Sequence, residues 1–417
     1  AKGWGSAVEV PKQVRSLVDA ERLEDLKTWR RNITKTPTTA QTKRLTALAR
    51  RVEVLWELTL RRLRVAEAEA SRRIDLWERE EQANVGSTVS REDIEAYLAA
   101  PGSAYRRLRL VMDVWCALWY WPLTTEVRPP SLDEWLGALE GLLGIAGKAG
   151  PADAATFADA TAWGELEQAE EMDLGFAGAR TVDSVIAEHE WLQVVRRVAE
   201  DQGFFHWELD FATVFARGGF DLQVGNPPWV RPRTDVDSLL SEGDPWWTLS
   251  NKPSVAAKSK RLSLTLARPG VLGTVLDGTA EVIVLSELLS DPTVYPLLSG
   301  QPDLYRAFMC QVWDHQSARG VSSLIHMETH FTDAKTPVLR AAAYRHLRRH
   351  WQFINELSLF DIKDNKRYGV HVYGIDQDPS FLHAASLYHP ETVLRSLVHD
   401  GSGEEPGFKD PHTDTWD

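Results

Sequence analysis

Apolar residues recur at Leu45, Leu48, Val52, Trp56, Leu60, Leu63, Ala66, Ala70, Ile74 and Trp77, a mean step of about 3.6 residues. That is the period of an α-helix, and no Gly or Pro interrupts Thr38 to Val85. The pattern predicts one long amphipathic helix. Arg50, Arg51, Arg61, Arg62, Arg72 and Arg73 stand off the stripe and read as a solvated face laced by i,i+4 charge pairs rather than a phosphate-binding one. A second helical pattern starts after Ser90, where Ser-Arg-Glu-Asp resembles a capping box one residue out of register, and runs to Tyr120. Beyond Leu108 it is apolar nearly all round, so it predicts a buried helix whose Asp113 needs a partner, ordinarily an arginine. Trp121 to Ala154, broken by Pro122, Pro129, Pro130, Gly150 and Pro151, predicts loop, short helix, loop, and helix resumes from about Val182 to Asp201.

At Phe204 the pattern changes in kind. A Gly218-Gly219 turn precedes a short apolar strand, Phe220 to Val224, that stops at Gly225. A polar, Lys-rich, Pro-punctuated stretch follows to about Pro302, with Trp246 and Trp247 on a loop. The chain then alternates: helix Asp303 to Gln316, strand Val321 to Met327, helix Pro337 to His350, strands Phe353 to Phe360 and Tyr368 to Tyr373. Such alternation predicts an α/β sheet. The domain reading is a mainly helical region 1–200, a core 201–375 with an insertion at about 231–301, and an extension 376–417 leading out of it.

The 417 residues suit two or three packed units. With 43% hydrophobic and 26% charged residues, the composition is that of a soluble globular protein. No stretch approaches the roughly 20 apolar residues of a membrane span and no leader pattern opens the chain, so a cytoplasmic protein is expected. Starting at Ala1, the chain reads as an internal piece of a longer polypeptide. The net charge of -13 argues against a chain that wraps nucleic acid through global positive potential and leaves local basic faces open. Lys252, Lys258, Lys260, Arg261 and Arg268 lie in a stretch without acidic residues and are the better candidates for DNA-backbone contact; Lys335, Arg340, Arg345, Arg348 and Arg349 form a second group on a predicted helix. Cys116 and Cys310 sit in apolar runs and read as structural thiols.

Candidate chemistry concentrates in Asn226-Pro227-Pro228-Trp229, directly after the short strand. Reactive groups of open α/β sheets gather at the carboxyl ends of strands. Two prolines fix φ and remove two donors, which leaves the carbonyls of Asn226 and Pro227 stiff and free to accept. An exocyclic amine whose two hydrogens are held by the Asn226 side-chain oxygen and the Pro227 carbonyl can pyramidalise and present its lone pair to an electrophile. Trp229 supplies a stacking face for a base rotated out of the duplex.

Here the sequence resembles the amino-directed class I DNA methyltransferases, whose adenine-N6 branch carries (Asn/Asp)-Pro-Pro-(Tyr/Phe/Trp). The context FHWELDFATVFARGGFDLQVGNPPWVRP is similar to the large methylases of type IIG restriction enzymes and of the BREX and DISARM phage-defence systems, as are GVSSLIHMETHFTD, LRRHWQFINELSLF, YGVHVYG and the terminal LYHPETVLRSLVHDGSGEEPGFKD. The resemblance covers roughly Arg106 to the C-terminus. It implies a Rossmann-like methyltransferase core, here lacking its first strands, behind a large helical region. It also implies S-adenosylmethionine as methyl donor, double-stranded DNA and other defence-system proteins as partners, and Asn226, Pro227, Pro228 and Trp229 in the target-base role. Phe331 is a candidate for a second aromatic contact with the base, against the plainer role of a core aromatic capping a strand. Cytosine-N4 methylation would favour Ser at the first motif position.

One departure stands out. Nothing before the motif matches the family's glycine-rich cofactor loop; Gly401 to Gly403 is a decoy, and the loop is expected upstream of Ala1. The rival reading is a non-catalytic DNA-binding or scaffold segment of a larger defence protein. No metal is expected: His346 and His350, and His326 and His330, stand four apart without a carboxylate or third ligand in a known order. The acidic stretch Asp361 to Asp364 reads as a turn between strands rather than a nuclease cluster.

Overall fold

The computed structural model describes residues 16–71, 89–145, 162–300 and 302–398. They form two compact units. One takes the described residues up to Thr213 together with Thr234–Glu281; the other takes Val214–Arg233 and those from Val282 on.

The first unit is helical: α1 Ala20–Ile33, α2 Thr39–Ser71, α3 Arg91–Ala99, α4 Ala104–Trp119, α5 Leu132–Leu143, α6 Trp163–Phe176, α7 Val182–Glu188 and α8 Trp191–Gln202. Its core joins Leu55 of α2, Val114 of α4, Leu136 and Leu142 of α5, and Leu192 and Val195 of α8, all fully buried. Helix α2 is as long as its periodicity allows within the described residues; Ile74 and Trp77 lie outside them.

Several expectations are corrected here. Arg51 and Arg62 are not solvated: both are buried, Arg51 forked onto Asp173 of α6 and Arg62 lying over the rings of Tyr97 and Trp163. A periodic stripe counts only apolar positions, whereas a buried guanidinium with a buried carboxylate extends the packed face. The run from Ser90 to Tyr120 is two helices, parted at Pro101-Gly102 and restarted by the Ser103 cap. The Ser90 capping box is in register, with Asp93 rather than Glu92 as its acid. Asp113 is met directly by His206 at 2.8 Å, while Arg109 acts on it only through space. Helix α6 had no counterpart in the pattern, and the segment from Val182 breaks between α7 and α8 at His189-Glu190.

The stretch from 231 to 301 is also helical rather than loop: α9 Val236–Ser241, a turn Trp246–Leu249, α10 Val255–Leu266 and α11 Val271–Leu289. Its prolines mark helix ends. Pro253 precedes the Ser254 cap of α10, and Pro269-Gly270 fills the break before α11. Trp246 and Trp247 therefore stand on a helical turn, Trp247 buried with its indole N–H donated to the Thr265 hydroxyl.

The second unit holds β1 Phe220–Gly225, α12 Leu304–Asp314, β2 Gln316–Met327, α13 Pro337–His346, β3 Leu347–Ile354, β4 Arg367–Tyr373, β5 Leu382–Leu387 and α14 Glu391–Val398. The strands make one mixed sheet, ordered β1-β2-β4-β3-β5. β1 pairs β2 in parallel, β4 runs antiparallel between β2 and β3, and β5 pairs β3 in parallel. The carboxyl ends of β1, β2 and β3 therefore share one edge. Gly219, at φ 111°, opens β1; a Cβ there would stand 2.4 Å from the His315 carbonyl oxygen. Helix α13 stops earlier than predicted because the Arg348 guanidinium bonds the last carbonyls of the helix, and β3 begins at Leu347 through a register shift. Arg348 and Arg349 are accordingly on a strand, not on a helix. Strand β5, an exposed edge strand, was not predicted. The acidic stretch 361–364 does lie in the connection between β3 and β4. Burial pushes the Cys310 thiol up to about 12 and the half-buried Cys116 thiol up to about 11, so both stay protonated.

Candidate active site

β1 delivers Asn226 to the carboxyl edge of the sheet, where it is exposed, followed by a buried Pro227, an exposed Pro228 and a half-buried Trp229. The corner is held from two sides. The Trp229 indole N–H donates to the Ile325 carbonyl of β2 at 2.9 Å, and its ring lies 5.8 Å from Tyr368 at 26° and 4.7 Å from Phe360 at 43°. On leaving the corner, the Val230 carbonyl accepts from the Leu304 N–H at 2.8 Å, and Arg231 reaches Asp303 at 3.3 Å. With Gly225 paired to Leu324 before the prolines and these contacts after them, the corner is tied to β2 and α12 while the Asn226 side chain stays exposed.

Arg306 of α12, buried and absent from the sequence reading, supports the same edge. Its guanidinium bonds Asp333 at 3.0 Å, the Thr329 hydroxyl at 3.1 Å and the Tyr305 hydroxyl at 3.2 Å, and faces Asp303 at 3.5 Å. One arginine therefore couples the exit of the Asn226 corner, through Asp303, to the turn that follows β2. The N–H of Lys335 and the Arg306 guanidinium hold the Asp333 carboxyl below the usual carboxylate range.

Phe331 follows β2 as predicted, in the turn Thr329–Thr332. Its ring packs on His330, Tyr344, His350 and His371. Side chains alternate along β4, so His371 and Tyr368 point to opposite faces. Phe331 is therefore on the face opposite Trp229, and the two rings do not form one stacking pair. The aromatics that do meet Trp229 are Tyr368 of β4 and, nearer, Phe360 from the connection between β3 and β4. Only sheet register brings Phe360 there, 131 positions downstream.

A cavity of about 570 Å³ opens at the same edge beside Phe331, walled also by Glu328, Tyr344, His350, Gln352 and His383. Of the two i,i+4 histidine pairs, His326 and His330 meet edge-on with ring centroids 5.2 Å apart, whereas His346 and His350 do not pair. His346 ends α13, stacked on Trp313, while His350 lies on β3; His326 lies on β2 and His330 in the turn after it.

The basic candidates fall in the first unit. Lys258 is paired with Asp237, and Arg261 with Asp244 at 2.6 and 3.0 Å. The Arg261 guanidinium, with the Thr265 hydroxyl and the Trp246 N–H, holds the Asp244 carboxyl well below the usual carboxylate range. Lys252 and Lys260 are exposed. Among the described residues no strand is followed by a glycine-rich loop that opens a helix, so these residues do not fit a cofactor cradle of the kind the resemblance implies; Gly401 to Gly403 lie outside them. Among the described residues no helix is long and apolar enough to cross a membrane.

No curated protein and no solved structure matches the chain. The model of the Eco57I restriction-modification methylase family matches residues 112–259, a span that includes β1 and Asn226 to Trp229 and ends before β2. The match supports a methylase of the restriction-modification type, and with it a DNA methyltransferase.

Proposed function

We propose that the chain carries the base-binding part of a DNA methyltransferase that modifies adenine N6, serving host DNA modification in restriction or phage defence. The observation that carries this reading is the exposed Asn226 at the carboxyl end of β1, on a corner stiffened by two prolines and fastened through Trp229 to Ile325. In this reading the Asn226 side-chain oxygen and the Pro227 carbonyl accept the two amine hydrogens of a flipped adenine. The backbone that carries both acceptors is stiffened by the prolines before the base arrives, which lowers the reorganisation that opposes the step. The N6 lone pair is then free of the ring and attacks directly, with no covalent enzyme intermediate. Trp229 and Phe360 supply the aromatic wall.

The topology agrees with a Rossmann-like core that lacks its first strands. β1 lies at one edge of the sheet with Leu222 and Val224 65% and 76% exposed. The edge of β1 away from β2 is unpaired by any described strand, and such a free backbone edge is what a further strand would cover. Methylases of this type use S-adenosylmethionine as donor; no described residue is assigned to it. Lys252 and Lys260 are the lysines offered to the DNA backbone. Because the described residues do not fit a cofactor cradle, one rival stays beside this reading, a non-catalytic DNA-binding or scaffold segment.

The test is methyl incorporation from tritiated donor into unmethylated DNA by the full-length protein, wild type against Asn226→Ala. A drop of about 100-fold or more is expected from loss of one preorganised partner. Equal incorporation would remove the catalytic assignment and leave the rival.

A further inference from the structure

Four histidines from four neighbouring strands stack in a row on one face of the sheet. His326 of β2, His371 of β4, His350 of β3 and His383 of β5 have successive ring centroids 3.9, 4.6 and 4.7 Å apart, at interplanar angles of 5°, 19° and 25°. His371 and His350 are cross-strand partners, as are His350 and His383.

The members differ in how they are satisfied. His326 meets the Met327 carbonyl at 2.8 Å and the Tyr373 hydroxyl at 3.0 Å. His371 is fully buried, and neither of its ring nitrogens has a hydrogen bond of ordinary geometry; the Gly369 backbone makes only a poorly aligned contact with it. His350 Nε2 stands 2.6 Å from Glu328 Oε1, yet the contact is out of line for a hydrogen bond, which leaves both atoms unpaired in that sense. Gly369 keeps the space between these groups clear: a Cβ there would come within 2.8 Å of His350 Nε2 and 2.9 Å of His371 Nε2. A buried polar atom left without a partner destabilises the fold, and here such atoms converge.

We propose that Glu328, His350 and His371 form a binding site for a divalent transition metal, zinc or a close neighbour. One ligand atom from each lies within 4.8 Å of the others. Two imidazoles and one carboxylate suit zinc-like ions and not calcium or magnesium, which take oxygen ligands. Burial holds the His371 imidazole well below its ordinary range, in the neutral form that binds metal. Gln352 donates to Glu328 Oε2 at 2.7 Å and so fixes the carboxylate whose other oxygen faces His350. Three protein ligands leave a fourth position. Because Glu328 and His350 also line the 570 Å³ cavity, that position opens onto space for a water or a small oxygen-bearing ligand. The site stands whether or not the chain transfers methyl groups.

The experiment uses the purified full chain, treated with chelator, exchanged into metal-free buffer and titrated with zinc sulfate. Affinity is read by competition with a chromogenic chelator, and retained metal by elemental analysis after gel filtration. Wild type should retain about one equivalent of zinc. Glu328→Gln, which keeps the size of the side chain and its contact with Gln352, should bind at least about tenfold more weakly. His189→Ala, outside the sheet, should match wild type. Substoichiometric retention by wild type, or equal affinity in wild type and Glu328→Gln, overturns the proposal. Should Glu328→Gln fail to fold, the visible spectrum of wild type loaded with cobalt decides: intense bands of a low-coordinate protein site support the proposal, and the pale spectrum of aqueous cobalt overturns it.

Discussion

The indole N–H of Trp229 donates to the main-chain carbonyl of Ile325 at 2.9 Å, so the residue that closes the Asn226 corner is fastened to the neighbouring strand. Trp229→Phe keeps a ring against Phe360 and Tyr368 but deletes that bond. The expected cost is about 1 kcal/mol, read as a lower urea midpoint, together with reduced methyl transfer from a corner that is no longer pinned. An unchanged midpoint would mean that the prolines alone hold the corner.

The buried pair of Arg51 and Asp173 ties α2 to α6. The guanidinium also donates from Nε to the Leu143 carbonyl at 3.0 Å. Removing one partner leaves a buried charge uncompensated, and Arg51→Met should destabilise the first unit by about 3–5 kcal/mol. The double variant Arg51→Met/Asp173→Leu should recover most of that loss. Urea unfolding followed by far-ultraviolet circular dichroism checks both, and a double variant no better than the single one would contradict the account.

Acid stability should report Asp244. Its carboxyl is held below the usual range in the folded chain, chiefly by Arg261, whereas the unfolded value is about 3.9. The unfolded state therefore takes up a proton first as pH falls. The stabilisation is complete above about pH 5 and is lost as pH drops through 4 and below. Asp244→Asn should lower the urea midpoint at pH 7 and then lose less of it than wild type between pH 5 and pH 3. Parallel losses in the two proteins would show that Asp244 does not carry the effect.

Local signals made the candidate site legible. The Gly218-Gly219 turn, a six-residue strand and two prolines are contiguous, and each fixes backbone geometry without help from distant residues. The four helices or helical turns from Val236 to Leu289 were misread because their prolines stand at helix ends, where a window average counts them as loop. Arg51 and Arg62 were misplaced for another reason: their burial depends on Asp173 and Glu170, more than 100 positions away, which no periodicity encodes. The histidine row is invisible in the sequence on the same grounds. His326, His350, His371 and His383 acquire a common face only when the register β2-β4-β3-β5 is known.

Of the five basic residues read as candidates for DNA contact, Lys258, Arg261 and Arg268 are committed within the protein and Lys252 and Lys260 are exposed, and this divides their expected behaviour. Lys252→Ala and Lys260→Ala should each reduce the slope of log affinity against log salt by about 0.9 while leaving the urea midpoint unchanged. Lys258→Ala and Arg261→Ala should instead lower stability, through Asp237 and Asp244, with little change in the slope. Fluorescence-anisotropy titrations of the full-length protein with a labelled duplex at several salt concentrations separate the pairs. If all four variants shift the slope alike, the paired residues exchange their carboxylates for phosphate on binding.

Phe360 and Phe331 offer the sharpest division within the site, because they stand on opposite faces of the sheet. Phe360 packs on Trp229 at 4.7 Å, and Phe331 packs on His330 at 3.9 Å. Stacking on a nucleobase is worth about 1–3 kcal/mol per base, so if the flipped base rests against the Trp229 face, Phe360→Ala should weaken binding of a target duplex by tenfold or more. The signal of 2-aminopurine at the target position should fall with it, because fewer bases remain extruded. Phe331→Ala removes a ring from the wall of the histidine face and should lower stability with base extrusion intact. The reverse result, extrusion lost with Phe331 and kept without Phe360, would place the base on the opposite face and would detach Trp229 from the chemistry.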